Sequence, residues 1–235
     1  MPFMQLVHSN PSQARRPLRR SALACQSVTA DLFEPPPEQN HPAPAQSSTM
    51  GHAANARPHQ NCYWVVPGVL IAGEYPGAAS HASARARLAM IAAAGVRHFV
   101  DLTETHELEP YHPHLPAVSR GLDRPVAHER LSIRDVDLPH TTAHANHILD
   151  RIDALIAVDA VPYVHCWGGV GRTGTIIGCW LVRHGKSGEE ALAAIAGHWT
   201  TMAKRARHPR SPETDAQRHY VLEWARHDRV RLGRT

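Results

Sequence analysis

Apolar residues become regularly spaced only beyond about residue 60. Tyr63-Trp64-Val65-Val66 and Val69-Leu70-Ile71-Ala72 are short apolar runs on either side of Pro67-Gly68, the pattern of a β-hairpin. Residues 78–94 are alanine-rich, with Leu88, Ile91 and Ala92 at three- and four-residue spacing and Gly95 as a stop, which predicts a helix. Residues 96–102 and 127–133 read as strands, and the polar, Pro- and His-bearing stretch 103–125 between them reads as a long loop. Pro139 opens a predicted helix with Ile148, Leu149, Ile152, Leu155 and Ile156 on one side, and 161–165 is a compact strand. Residues 173–184 form an apolar helix closed by Gly185. Ser187 with Glu190 is a capping box opening a helix over 189–196, and Ser211-Pro212-Glu213 signals a last helix running to about Arg226. Strands alternating with helices of this length predict an α/β fold, with a central, mostly parallel sheet of four or five strands flanked by helices.

The first 60 residues differ. Pro35-Pro36-Pro37 and Asn40-His41-Pro42-Ala43-Pro44 lie in a stretch almost without large apolar residues, which cannot bury enough surface to offset its conformational entropy. Residues 1–60 are therefore expected to be a disordered Pro/Arg-rich tail and 61–235 a single domain without internal repeats. Arg15, Arg16, Arg19 and Arg20 are followed by no apolar run, so a secretory signal is not expected. The absence of Asp and Glu from residues 1–30 is shared with organelle transit peptides, but Pro2, Pro11 and Pro17 would interrupt the amphipathic helix these need.

Composition narrows the class. Of 235 residues, 43% are apolar and 20% charged, enough for a real core. No window approaches about 20 uninterrupted apolar residues, so no membrane span is expected. The net charge of +4 is scattered, unlike the clustered basic stripe that nucleic-acid binding requires, and lysine occurs only at Lys186 and Lys204. Cys25, Cys62, Cys166 and Cys179 form no C-x-x-C pair, which argues against a zinc ribbon or disulfide scaffold and for a reducing, cytoplasmic setting. A monomer without metal or cofactor is expected.

The chemistry concentrates in His165-Cys166-Trp167-Gly168-Gly169-Val170-Gly171-Arg172-Thr173-Gly174, where a predicted strand meets a predicted helix. Its glycines let successive amides converge at a helix N-terminus, an anion nest. Gly171 and Thr173 fit the nucleotide loop G-x-x-x-x-G-K-[ST], but Cys166 takes the first glycine's place and Arg172 the lysine's. Arginine offers two phosphate oxygens a planar fork. The helix terminus, the amides and Arg172 favour the thiolate form of Cys166, an activated nucleophile by position. A leaving oxyanion needs a proton, and Asp135 and Asp137 both lie in a predicted strand-to-helix loop able to close over a site.

These residues resemble the His-Cys-x5-Arg-[Ser/Thr] signature of the cysteine-dependent protein tyrosine phosphatases, and the short domain, over roughly residues 61–228, looks like the dual-specificity branch. The resemblance implies a phosphocysteine on Cys166, equatorial phosphate oxygens on Arg172 and on the loop Trp167, Gly168, Gly169, Val170 and Gly171, departure of the thiolate eased by Thr173, and tuning of the cysteine by His165. It selects Asp135 as the general acid. Residues 211–218 resemble the family's late segment that brings a glutamine to the site. Gln217 shares an inward stripe with Val221 and Trp224, and by the resemblance it orients the hydrolytic water. The expected activity is a protein phosphatase of tyrosine or dual specificity, its partner a phosphorylated protein or peptide. A phosphate-binding pseudophosphatase or adaptor and a phosphoinositide phosphatase of the same fold are the alternatives. The loop interior carries no lysine, which disfavours lipid, and the bulky Trp167 argues against a deep phosphotyrosine pocket. His140, His144 and His147 share a helical face, suggestive of metal, but have no partner carboxylate. Asp101 at a strand end either bonds substrate or satisfies loop amides, Cys62 has no evident redox partner, and Cys179 is expected in the core.

Overall fold

A computed structural model describes residues 56–231, the side chains of 229–231 excepted. The expected tail thus lies, apart from 56–60, outside the described residues. Within that short part Arg57 donates to the Thr201 carbonyl and hydroxyl, both at 3.0 Å, and His59 meets the Tyr163 hydroxyl at 3.0 Å.

The hairpin forms as patterned. Strands β1 (Cys62–Val66) and β2 (Leu70–Gly73) pair antiparallel across a turn in which Gly68 takes φ 72° and Val69 donates to Val66, as a Pro-Gly pair at the turn centre dictates. Helix α1 (His81–Ala93) follows, capped by the Ser80 hydroxyl, then β3 (His98–Asp101). The stretch expected to be a plain loop instead holds a 3₁₀ turn (His112–His114) and the short helix α2 (Leu115–Val118). Pro113 and Pro116 sit where a first helical turn tolerates them, and Tyr111 and Leu115 anchor the segment in the core.

Next come β4 (Ala127–Arg130) and α3 (Thr142–Ile156). The expected strand over 127–133 stops early because β3 ends opposite Arg130. Helix α3 begins at Thr142, not at Pro139, because the Thr141 hydroxyl captures the His144 amide. Strand β5 (Pro162–His165) leads into α4 (Gly171–Arg183), which starts two residues before the expected position and so draws Arg172 into its first turn. The Ser187–Glu190 capping box opens α5 (Gly188–Trp199), and a 3₁₀ turn (Ala203–Ala206) precedes α6 (Asp215–Arg231).

The sheet order is β1-β2-β5-β3-β4, parallel except for the β1–β2 pair. Alternation along the strands divides the core. Ile71, Phe99 and Tyr163 face α1 and α2, while Leu70, Val100 and Val164 join the aliphatic side of α3 with Ile177, Trp180, Trp199 and Trp224 from α4, α5 and α6. Parallel β5 in the sheet centre therefore delivers its C-terminal end to the rim, where crevices in open α/β sheets gather ligands.

Candidate active site

Beyond that strand end a cavity of ≈ 460 Å³ is lined by Cys166, Trp167, Gly168, Val170, Gly171 and Arg172, with Asp135 and Val136 on one side and Lys204, Arg207, His208 and Glu213 on the other. Its floor is held from behind. The carbonyls of Cys166, Trp167, Gly168 and Val170 accept from His165 Nδ1 (3.2 Å), the Tyr75 amide (2.9 Å), Lys204 Nζ (3.3 Å) and the Ser211 hydroxyl (2.7 Å). The amides of residues 167–170 have no acceptor among the described residues. Carbonyls tied to protein donors with amides left unpaired are what an anion nest requires. Gly169 is required twice: it has φ 72°, and a Cβ there would lie 2.5 Å from the Gly73 carbonyl oxygen. Unlike Trp167, Gly168, Val170 and Gly171, it does not line the cavity.

Arg172 is 2% exposed, and its terminal nitrogens form a fork–fork pair with Glu107 at 2.7 and 2.5 Å. Nη1 also donates to the Ile133 and Leu102 carbonyls, and Nη2 reaches Asp135 Oδ1 at 2.6 Å. Burial works against the charge, but Glu107 outweighs it and holds the guanidinium protonated, while Arg172 keeps the Glu107 carboxyl below its ordinary range. The Nε edge has no partner among the described residues and stays available to an anion. Cys166 is 3% exposed, at the base of the nest. The Thr173 hydroxyl, fully buried in the first turn of α4, has no partner among the described residues.

Behind Cys166, the Tyr111 hydroxyl meets His165 Nε2 at 2.7 Å. Burial lowers the His165 pKa to about 4 and raises that of Tyr111 well above the ordinary phenol range. A neutral imidazole beside a protonated phenol fixes the network: Tyr111 donates to Nε2, and Nδ1–H donates to the Cys166 carbonyl. On the cavity's flank, Asp135 is 48% exposed and Val136 adopts φ 62°, an outlier for a β-branched residue. Asp137 does not line the cavity; its carboxylate accepts from the Leu138 amide.

Residues 59–221 match the family PTP-SAK, described as Swiss Army Knife protein, DSP-PTPase phosphatase domain. The chain belongs to this family. It is thus a member of the cysteine phosphatase superfamily of dual-specificity type, a phosphatase and hence a hydrolase. Solved structures share the fold. Tk-PTP in its active form is 22% identical with a TM-score of 0.54, over 71% of this chain and 97% of that one. The kinase associated phosphatase KAP, with its catalytic-site cysteine replaced by serine, is 16% identical (0.55, 71% and 88%), and PTPMT1 in complex with PI(5)P is 20% identical (0.53, 73% and 98%).

Several parts of this DSP-PTPase site escape sequence reasoning. Glu107 and Tyr111 lie in the stretch expected to be a loop, with no local pattern to single them out. Lys204 and Arg207 supply from a distant segment the positive charge that the loop interior lacks. Ser211 does not open α6: its hydroxyl is committed to Val170, and the helix starts at Asp215, where Thr214 caps the Gln217 amide. Gln217 is fully buried against Gly171, and its side-chain amide accepts from the Glu213 and Thr214 amides and donates to the Asp137 carbonyl (3.2 Å), which ties the Asp135–Asp137 loop to α6.

The remaining candidates are structural. Asp101 is fully buried and takes hydrogen bonds from Thr103, His128 and Arg130; burial opposes its charge, but His128, His165 and Thr103 hold its carboxyl well below the usual range. It satisfies the loop. Cys62 donates to the His59 carbonyl on the opposite face of the sheet from Cys166, with burial pushing its pKa up to about 11; Cys179 is core. His140 and His144 stack, and no group of three or more His, Cys, Asp or Glu among the described residues is arranged around one ion.

Proposed function

We propose that this domain hydrolyses phosphomonoesters on protein side chains, phosphotyrosine first and phosphoserine and phosphothreonine with it, through a phosphocysteine intermediate. The observation that carries the reading is that Cys166, Arg172 and Asp135 line one cavity. A phosphate dianion seats on the loop amides and the Nε edge of Arg172 and displaces Asp135 from Nη2. The Cys166 thiolate attacks phosphorus, the S–P bond forms as the P–O bond to the side chain breaks, and protonated Asp135 delivers its proton to the leaving oxygen. In the second step Asp135 takes a proton from a water whose oxygen attacks phosphorus, the O–P bond forms as the S–P bond breaks and releases inorganic phosphate, and the Thr173 hydroxyl hydrogen-bonds the departing thiolate. His165 aims the nucleophile through the Cys166 carbonyl. Gln217, released from the Asp137 carbonyl as the loop shifts, orients the water. Trp167 and Val136, exposed at 56% and 55%, give the cavity apolar edges suited to an aryl ester.

Residues 61–235 act as the catalytic domain and 1–60 as its appendage. A cytoplasmic monomer is part of the same proposal: the free thiols of Cys62, Cys166 and Cys179 support a reducing compartment. A second reading, phosphoinositide hydrolysis, is favoured by Lys204 and Arg207 on the cavity wall.

The test is turnover of an aryl phosphate, a phosphotyrosyl peptide and PI(5)P, with reductant and chelator present. Activity that is highest on the peptide and lost in Cys166→Ser supports the first reading. Preference for PI(5)P supports the second, and phosphate binding without turnover identifies a pseudophosphatase.

A further inference from the structure

Two carboxylates line the cavity, Asp135 and Glu213. The backbone of Glu213 is fixed: its amide donates to Gln217 Oε1 at 3.2 Å and its carbonyl accepts from Arg210 Nε at 3.2 Å. Its carboxylate is not. Oε1 stands 3.7 Å from His208 Nδ1, and among the described residues no hydrogen-bond donor reaches either oxygen. Oε2 lies over Gly171, the first residue of α4, where a Cβ would come within 3.2 Å of it and within 2.9 Å of both ends of the Gln217 amide. A glycine thus keeps clear the space beside the anion nest that these two side chains face. Gln217 has both ends engaged, its oxygen by the Glu213 and Thr214 amides and its nitrogen by the Asp137 carbonyl. Glu213 has lone pairs to spare. A negative group beside the nest works against phosphate affinity, so binding of substrate gives no reason for it.

Resting on the phosphatase reading above, we infer that Glu213 is a catalytic residue of the second step: it accepts a hydrogen bond from one O–H of the hydrolytic water and aims the oxygen at phosphorus while Asp135 takes the other proton. The O–P bond forms as the S–P bond breaks, the Cys166 sulfur leaves as thiolate, one proton passes to Asp135, and the hydrogen held by Glu213 stays on the phosphate product. In the first step the ester oxygen occupies the water's place and carries no hydrogen for Glu213 to accept. Loss of Glu213 should therefore separate the two steps, which loss of Asp135, serving both, cannot do.

The full chain is mixed rapidly with p-nitrophenyl phosphate, whose leaving group departs readily, so that hydrolysis of the phosphocysteine limits turnover, and nitrophenolate is followed before and through the steady state. Glu213→Gln, which replaces a charged acceptor by a neutral amide of the same shape, should cut steady-state kcat by about 10-fold or more and leave the burst rate within about 2-fold of wild type. Acid quench should then recover more phosphoryl adduct on Cys166 than in wild type. By calorimetry, inorganic phosphate should bind Cys166→Ser a few-fold more tightly when Glu213→Gln is added, the reverse of what loss of a merely structural contact does. An unchanged kcat, a burst slowed as much as the steady state, or weaker phosphate binding would overturn the proposal. Wild type that releases no nitrophenolate defeats the phosphatase reading and this role with it, whereas wild type that turns over and is matched by Glu213→Gln defeats the role alone.

Discussion

The groups on the cavity floor that bear on phosphate are buried and clamped. Arg172 is held by Glu107 and two carbonyls, His165 by Tyr111, and four loop carbonyls by His165, Tyr75, Lys204 and Ser211. On the walls, Asp135 and Arg207 are solvent-facing, and Asp135 has only an ion pair that a substrate must break. The floor fixes donors and charge before substrate arrives, so that none needs to reorganise as negative charge shifts in the transition state. In the proposed reaction Asp135 must exchange its ion pair for the leaving oxygen, and burying its charge would oppose that. Floor substitutions should therefore damage both folding and chemistry, and wall substitutions chemistry alone.

The largest effect is expected from Arg172→Lys, which keeps the charge but loses the fork: kcat/KM falls by about 10³-fold, read on an aryl phosphate. Glu107→Ala leaves a buried guanidinium short of its counter-ion and should lower the unfolding free energy by about 3 kcal/mol in urea titrations. Unchanged stability would mean that the floor is not a clamped unit. Asp135→Asn should reduce kcat on a phosphotyrosyl peptide by about 10²-fold, and less on p-nitrophenyl phosphate, whose leaving group needs little protonation, with stability within about 0.5 kcal/mol of wild type. A large stability loss there would erase the distinction between floor and wall.

Acid should weaken the fold through two buried histidines, one behind the floor and one in the segment ahead of β1. His165 and His59 have folded pKa values of about 4, lowered from 6.5 mainly by burial. Between pH 6.5 and 4 the unfolded chain therefore binds protons that the folded chain does not, so the stability present above pH 6.5 is lost as pH falls through this window. Urea midpoints that stay constant from pH 7 to 4 would contradict the buried neutral imidazole. The smallest effect belongs to Val136→Gly. Releasing the left-handed strain should raise stability by up to about 1 kcal/mol and lower kcat a few-fold as the acid loop loses its preset turn.

The same division governs how much the sequence discloses. The strand, loop and helix around Cys166 are contiguous, and every floor residue supplied by that stretch is legible from chain order and glycine spacing. The hairpin and the Ser187 cap are legible for the same reason, since their determinants lie within four residues of each other. Glu107 meets Arg172 across 65 positions from a polar stretch with no periodicity, and Arg207 reaches the cavity only because the α5–α6 connection is pinned by Trp199 and Ser211. Ser211 shows how local chemistry misleads: its cap-like context is real, but the Val170 carbonyl competes for the hydroxyl and wins.

The central claim is that Cys166 carries the phosphoryl group. Acid quench during turnover of a phosphotyrosyl peptide, followed by peptide mass spectrometry, should find a phosphoryl adduct on the Cys166 peptide, with both adduct and turnover absent in Cys166→Ser. Turnover that survives Cys166→Ser, with no adduct in wild type, would contradict the account.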